Sequence, residues 1–254
     1  VEKLGTHEEL VEKCGDMDPV VWAKAYIEEL NRQEKESQFE YIAKYSSAKQ
    51  IEKDKQRNYK GGYLFLQALY YQSGLHKICQ KIEKGYKFTY SLSNILNMLI
   101  VTRILDPSSK RSSLESAMDY LEKPDFAVHQ IYRALGVLAQ NNDYLQAELY
   151  KHTKRHIKRN DKILYYDCTN YYFEIEDEEG MKAYGTSKEH RPNPIVQMGL
   201  FMDADGLPLA FSLFDGSANE QPSLKPLEEK ILNDFNLSKF IVCTDAGVSS
   251  HENR

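Results

Sequence analysis

Apolar residues follow two kinds of pattern along this chain, and the change comes near residue 160. Before it they recur at helical spacing. Leu64, Leu66, Leu69 and Tyr70 lead into Leu75, Ile78 and Ile82, and Leu92, Ile95, Leu96, Leu99, Ile100 and Ile104 follow; both stretches predict buried amphipathic helices. Pro107 biases Asp106 away from the helical region and ends the second stretch, and Ser112 or Ser113 is placed to cap the next helix. Lys123-Pro124-Asp125 breaks the chain again before Val128, Ile131, Tyr132, Leu135 and Leu138. Asn141-Asn142-Asp143 then precedes a final helix expected to run through residues 151–159. About five helices are expected before the first strand.

Beyond residue 160 the runs shorten and turn β-branched and aromatic. Ile163-Leu164-Tyr165-Tyr166-Asp167 and Phe240-Ile241-Val242-Cys243-Thr244-Asp245 predict buried strands, each ending in an aspartate. Between them, residues 195–202 and 208–214 flank Asp203-Ala204-Asp205-Gly206, whose residues tolerate the left-handed region, so a β-hairpin is expected. Leu224, Leu227, Ile231 and Leu232 then share one face of a helix, with Glu228, Glu229 and Lys230 on the other. The order is strand, hairpin, helix, strand. A crossover helix of this kind normally leaves the outer strands parallel in one sheet, with ligands at their carboxyl ends, so Asp167 and Asp245 would share one edge. The fold class expected is α/β, with residues 1–160 a mainly helical domain and residues 161–254 the sheet-bearing part.

The paired aspartates are the candidate chemistry. Two carboxylates ~4 Å apart repel by about 4 kcal/mol at an effective dielectric of 20, and a divalent cation reverses the sign. The alternative is that each Asp only caps a following turn or helix. Asp203 and Asp205 resemble ligands by type, but turn chemistry accounts for both. His152 and His156 stand four apart, as a metal pair would, within a run of Lys and Arg that repels a cation. The acidic run at Glu174, Glu176, Asp177, Glu178 and Glu179 lacks the glycine and spacing of a calcium loop and reads as solvated. Cys14, Cys79, Cys168 and Cys243 show no C-x-x-C spacing and are expected to be reduced packing residues, Cys168 included despite its place beside Asp167.

Charge adds an asymmetry. The net charge of −5 conceals −6 over residues 1–40, +10 over residues 41–160 (20 basic against 10 acidic) and −9 over residues 161–254 (8 basic against 17 acidic). A basic middle beside an acidic end suits a phosphate-binding part joined to a metal-binding part, although a solvated helical surface gives the same count. No apolar run approaches the roughly 20 residues of a membrane span and no basic-then-apolar leader opens the chain, so no membrane partner and a cytoplasmic location are expected.

Four segments carry a family resemblance: Tyr166-Asp167-Cys168-Thr169, Tyr184-Gly185-Thr186-Ser187-Lys188-Glu189-His190-Arg191-Pro192, residues 199–209, and Thr244-Asp245-Ala246-Gly247. In this order they resemble the DDE transposases of bacterial insertion sequences, in the group whose ribonuclease-H-like core carries a β-rich insertion. Residues 103–110 and 131–135 resemble the same group less specifically. The resemblance implies an incomplete ribonuclease-H-like core preceded by a helical, DNA-binding domain. It makes Asp167 and Asp245 the first two catalytic, metal-holding carboxylates. Two Mg²⁺ (or Mn²⁺) ions would serve the complete enzyme, acting on double-stranded DNA (terminal inverted repeats and target) as a homodimer. Lys188, His190 and Arg191, in the loop before the hairpin, become candidate DNA contacts. The family's third carboxylate, a glutamate on a downstream helix, has no counterpart before Arg254, and Val1-Glu2-Lys3-Leu4-Gly5 resembles a stretch inside the family's amino terminus. An inactive piece truncated at both ends is therefore expected. Another ribonuclease-H-like nuclease, or a non-catalytic DNA-binding relic, stays open.

Overall fold

The computed structural model describes Leu10, Cys14 and residues 18–37, 58–219, 223–235, 237 and 239–245, with backbone alone for 29–37, and its first continuous stretch opens at Asp18. The Asp18 carboxylate accepts the Val20 and Val21 N–H groups at 2.9 and 3.1 Å, and Pro19 occupies the first helical position, where no donor is lost. The helix that follows, α1, is Pro19–Ser37. The remaining helices before the sheet are α2 (Tyr63–Gln72), α3 (Leu75–Glu83), α4 (Leu92–Leu105), α5 (Lys110–Ala117), α6 (Val128–Gln140) and α7 (Asn142–Thr153).

Seven helices thus precede the first strand among the described residues, more than the pattern suggested. One addition is α1. Another arises at Gly74, whose φ of +79° is open to glycine at little cost and splits one apolar run into α2 and α3. The cap of α5 is Ser109, which accepts the Ser112 N–H at 3.2 Å, and not Ser112 or Ser113. The last helix stops at Thr153, short of the expected 159. Its end is drawn away because Arg159 is committed elsewhere, to the buried carboxylate of Asp203.

Four strands follow in one mixed sheet: β1 (Ile163–Tyr172), β2 (Ile195–Asp203), β3 (Pro208–Asp215) and, after helix α8 (Leu224–Asp234), β4 (Ile241–Thr244). The order across the sheet is β3-β2-β1-β4. β1 and β2 pair antiparallel, as do β2 and β3, which is the expected hairpin. β4 returns parallel to β1, from Ile163↔Ile241 to Tyr166↔Thr244. The protein is therefore α/β, as the alternation of patterns required.

Among the described residues, α7 and α8 cover one face of the sheet. Leu164, Tyr166 and Cys168 of β1, Phe201 of β2 and Leu209 and Ala210 of β3 pack with Ala147 and Tyr150 of α7 and Leu224, Leu227 and Ile231 of α8. Each Leu, Ile or Phe among them removed from water stabilises the fold by about 1.5–3 kcal/mol. Leu232, expected on the same face of α8, is exposed. On the other face Ile163, Tyr165 and Tyr171 of β1, Leu213 of β3 and Ile241 of β4 stay exposed, so neither strand-end run is buried on both sides as the apolar runs implied. A pleated strand can read as continuously apolar and still bury only alternate residues.

The chain divides into two compact units. One comprises Val1–Gln72 and Leu96–Asp125; the other comprises Ser73–Ile95 and Phe126–Arg254 and holds α3, α6, α7 and the whole sheet. Within the first, the Tyr63 and Tyr120 rings stack at 4.3 Å and the Tyr63 hydroxyl accepts the Glu122 N–H at 3.1 Å. Within the second, the Glu83 carboxylate at the end of α3 accepts the Leu92 and Ser93 N–H groups and so caps the start of α4. No helix among the described residues is long and apolar enough to cross a membrane.

Candidate functional site

Alternation along β1 decides where its carboxylate points. Leu164, Tyr166 and Cys168 face the core, so Ile163, Tyr165 and Asp167 face outward, and the Asp167 side chain is 64 % exposed. The parallel pairing ends at Tyr166↔Thr244. Asp167 is the next residue of β1 and Asp245 the first residue past β4, and both are exposed. With neighbouring strands ~4.8 Å apart, continuing the register sets the two aspartates side by side. Asp245 lies just past the carboxyl end of β4 but Asp167 midway along β1, which runs on to Tyr172 and does not end at its aspartate as expected. Ala246 and Gly247, and Val1 to Gly5, lie outside the described residues.

A cation reaches this point from the loop before β2. Lys188 Nζ stands 3.7 Å from Asp167 Oδ1 and donates to the Cys168 carbonyl, while the same carboxylate oxygen accepts the Cys168 N–H at 2.8 Å. Both side chains of the pair are about half or more exposed, so the pair itself contributes about 1 kcal/mol or less to stability. Its importance is positional.

The loop is held by close backbone contacts. Ala183 and Ile195 exchange two hydrogen bonds, of 3.1 and 2.8 Å, and Gly216 N–H donates to Met181 O at 3.1 Å. A Cβ on Gly185 would lie 1.9 Å from the Gly216 carbonyl oxygen, and one on Gly216 would lie 2.1 Å from that of Ile195, so both positions require glycine. The buried Gln197 amide donates to the carbonyls of Gly216 and Ala218, at 3.1 and 2.6 Å. On the outer side the Tyr184 N–H donates to Glu178 at 2.6 Å, its hydroxyl donates to the Glu176 carbonyl, and Glu179 pairs with Lys182 at 2.8 Å. Part of the acidic run therefore fastens the loop. Gln197, Gly185 and Gly216 escaped the sequence reading; the Tyr184-Gly185 step was visible, but not what its glycine approaches.

Of the three candidate DNA contacts, Lys188 and His190 line one cleft and Arg191 does not. Lys188 meets Asp167; His190, at a φ of 55°, lines the cleft behind it; Arg191 lies over the Tyr172 ring at 4.7 Å and pairs with Glu189 at 3.5 Å.

The other candidates fall away from this site. Cys168 is buried on the covered face, 3.3 Å from the Tyr166 hydroxyl and 3.4 Å from that of Ser223, where no substrate reaches its thiol. Asp203 is fully buried: Oδ1 accepts the Asp205 and Leu207 N–H groups at 3.1 and 2.9 Å, and Oδ2 pairs with Arg159. His156 lies past the end of α7, so it does not share a helical face with His152. Burial, and next the neighbouring Arg155, hold the His152 imidazole below its usual pKa.

No group of three or more His, Cys, Asp and Glu able to hold a metal occurs among the described residues. Two adjacent exposed carboxylates nevertheless fit Mg²⁺, which commonly takes one or two carboxylates and fills its octahedron with water and substrate phosphate. No family model, curated protein or solved structure matches the chain.

Proposed function

We propose that this chain carries the helical part and the first part of the ribonuclease-H-like core of a DDE-type insertion-sequence transposase. The supporting observation is the register of β1 and β4, which brings Asp167, midway along β1, alongside the carboxyl end of its parallel neighbour, where Asp245 follows. Ligands in open α/β sheets bind outside the carboxyl ends of the strands, here the end of β4. Asp167 and Asp245 would hold the ion; when bound there, Mg²⁺ or Mn²⁺ supplies polarisation of the scissile phosphate and activation of the attacking water or 3′-hydroxyl. Lys188 balances the Asp167 charge and is placed to hold a DNA phosphate against it. The partners would be the terminal inverted repeats, the target DNA and a second copy of the chain, in the bacterial cytoplasm.

The test uses the chain joined to the glutamate-bearing segment that the resemblance calls for, with DNA carrying the element's ends. Cleavage should require Mg²⁺ or Mn²⁺. Asp167→Asn or Asp245→Asn should each slow it roughly a thousandfold, about 4 kcal/mol of barrier, with DNA binding retained. Unchanged cleavage in either variant overturns the assignment. Cleavage without joining of the 3′ end to target would instead mark a ribonuclease-H-like nuclease, and binding without cleavage a DNA-binding relic.

A further inference from the structure

Behind Lys188 an open cleft of about 570 Å³ lies between the 184–190 loop and the turn at residues 216–219. Its chemistry is opposite to its surroundings. Residues 161–254 carry 17 acidic side chains against 8 basic, yet no Asp or Glu is among the described residues that line the cleft, whereas Lys188 and His190 are. The rest of the wall includes hydroxyls and amides, those of Thr186, Ser187, Ser217 and Asn219 among them. Such a lining suits an anion that also offers polar edges.

The shape narrows the ligand further. Tyr184 stands at the cleft 48 % exposed, with its hydroxyl tied to the Glu176 carbonyl, so its ring is held as a flat apolar surface at the opening. Lys188 belongs to the cleft wall and also reaches Asp167. The geometry points to a binding cleft for an unpaired nucleic-acid strand: a base lies on Tyr184, its phosphate meets Lys188 and His190, and the next phosphate is delivered to the Asp167 edge. Stacking on an aromatic ring tolerates any base, and the cations track the backbone. A duplex keeps its bases stacked on each other and cannot use Tyr184. The inference rests on the reading of the Asp167 edge as a site of nucleic-acid chemistry. Arg191, held over Tyr172 and against Glu189, takes no part.

Binding of a fluorescein-labelled oligothymidylate of about ten nucleotides, followed by anisotropy in EDTA, tests the cleft without metal. The Lys188→Gln, His190→Gln double variant and Tyr184→Leu should each weaken binding roughly tenfold. Arg191→Gln should stay within about twofold of the parent, and matched thermal unfolding excludes misfolding. A 5-iododeoxyuridine strand should crosslink to Tyr184. Equal loss in Arg191→Gln, unchanged binding in the double variant, a crosslink elsewhere, or tighter binding of duplex would each overturn the proposal. Displacement by inorganic phosphate as readily as by unlabelled strand would show a small-anion site and overturn it too. The two readings fail separately. Cleft binding with cleavage indifferent to Asp167→Asn removes the catalytic assignment and leaves the cleft; Asp167-dependent cleavage without cleft binding does the reverse.

Discussion

Arg159 belongs to a run of basic residues that would ordinarily be placed on a solvated surface, yet its side chain is 4 % exposed. It donates to Asp203, to Thr153 Oγ1 at 3.3 Å and to the carbonyls of Leu207 and Pro208 at 3.2 and 3.0 Å, so the guanidinium closes the hairpin onto the end of α7. Arg159→Met leaves the fully buried Asp203 without its cation and should cost about 3–5 kcal/mol in urea unfolding, whereas Lys158→Met, at an exposed position, should stay within about 0.5 kcal/mol. A second case is Asp161. Burial alone would raise its pKa, but hydrogen bonds from Tyr150 and Lys154 outweigh this and hold it below the usual carboxylate range. A depressed folded-state pKa stabilises above the unfolded value of about 3.9, and the contribution disappears as pH falls through the folded value. The acid limb of a stability–pH curve should therefore flatten in Asp161→Asn, with unfolding measured from pH 6 down to about 2.5. The turn role of Asp203 was legible in Asp203-Ala204-Asp205-Gly206. Its buried charge was not, because a sequence gives no sign that a cation 44 positions earlier will reach it.

Elements with a clean period were the most legible. The hairpin followed from two apolar runs around a turn, and the parallel return of β4 followed from the helix before it. Helix ends were harder: the cap of α5 fell at Ser109, ahead of Ser112 and Ser113, and α7 stopped where tertiary contacts took over. The candidate site divided the same way. Asp167 and Asp245 stood out at the ends of apolar runs, although β1 continues past Asp167 to Tyr172, while the approach of Lys188 depends on a loop whose path is set by Gly185 and Gly216. A Cβ on Gly216 would meet two backbone carbonyl oxygens, of Ile195 at 2.1 Å and Ala183 at 2.3 Å, and backbone cannot give as a side chain can. Gly216→Ala should cost about 1–3 kcal/mol and loosen the Lys188–Asp167 contact. Gly136, exposed within α6, has nothing within 4 Å of a new Cβ, so Gly136→Ala should instead stabilise by up to ~1 kcal/mol. Opposite signs in thermal unfolding check both; a neutral Gly216→Ala would mean that the loop adapts.

For the whole molecule the sheet is the asymmetric part. Its outer face carries Leu213 at 47 %, Tyr165 at 47 % and Ile241 at 65 % exposure, set on one side by the strand register. Apolar area of this kind favours association. Leu213→Lys with Ile241→Lys should raise the concentration at which light scattering detects aggregates, while unfolding free energy changes by less than about 0.5 kcal/mol. Neither this face nor the interleaving of the two compact units could be read from periodicity, which reports what lies along a strand and not what covers it. The parallel pairing of β1 with β4 also fixes an order of assembly. During synthesis β1 can zip with β2 and β3 as soon as the hairpin emerges, but its other edge must wait until residues 241–244 leave the ribosome, after α8 has been made. Closing so long a loop is slow compared with hairpin formation. A nascent chain therefore holds Asp167 before Asp245 can join it, and the edge the two share forms only after α8 and β4 have been made.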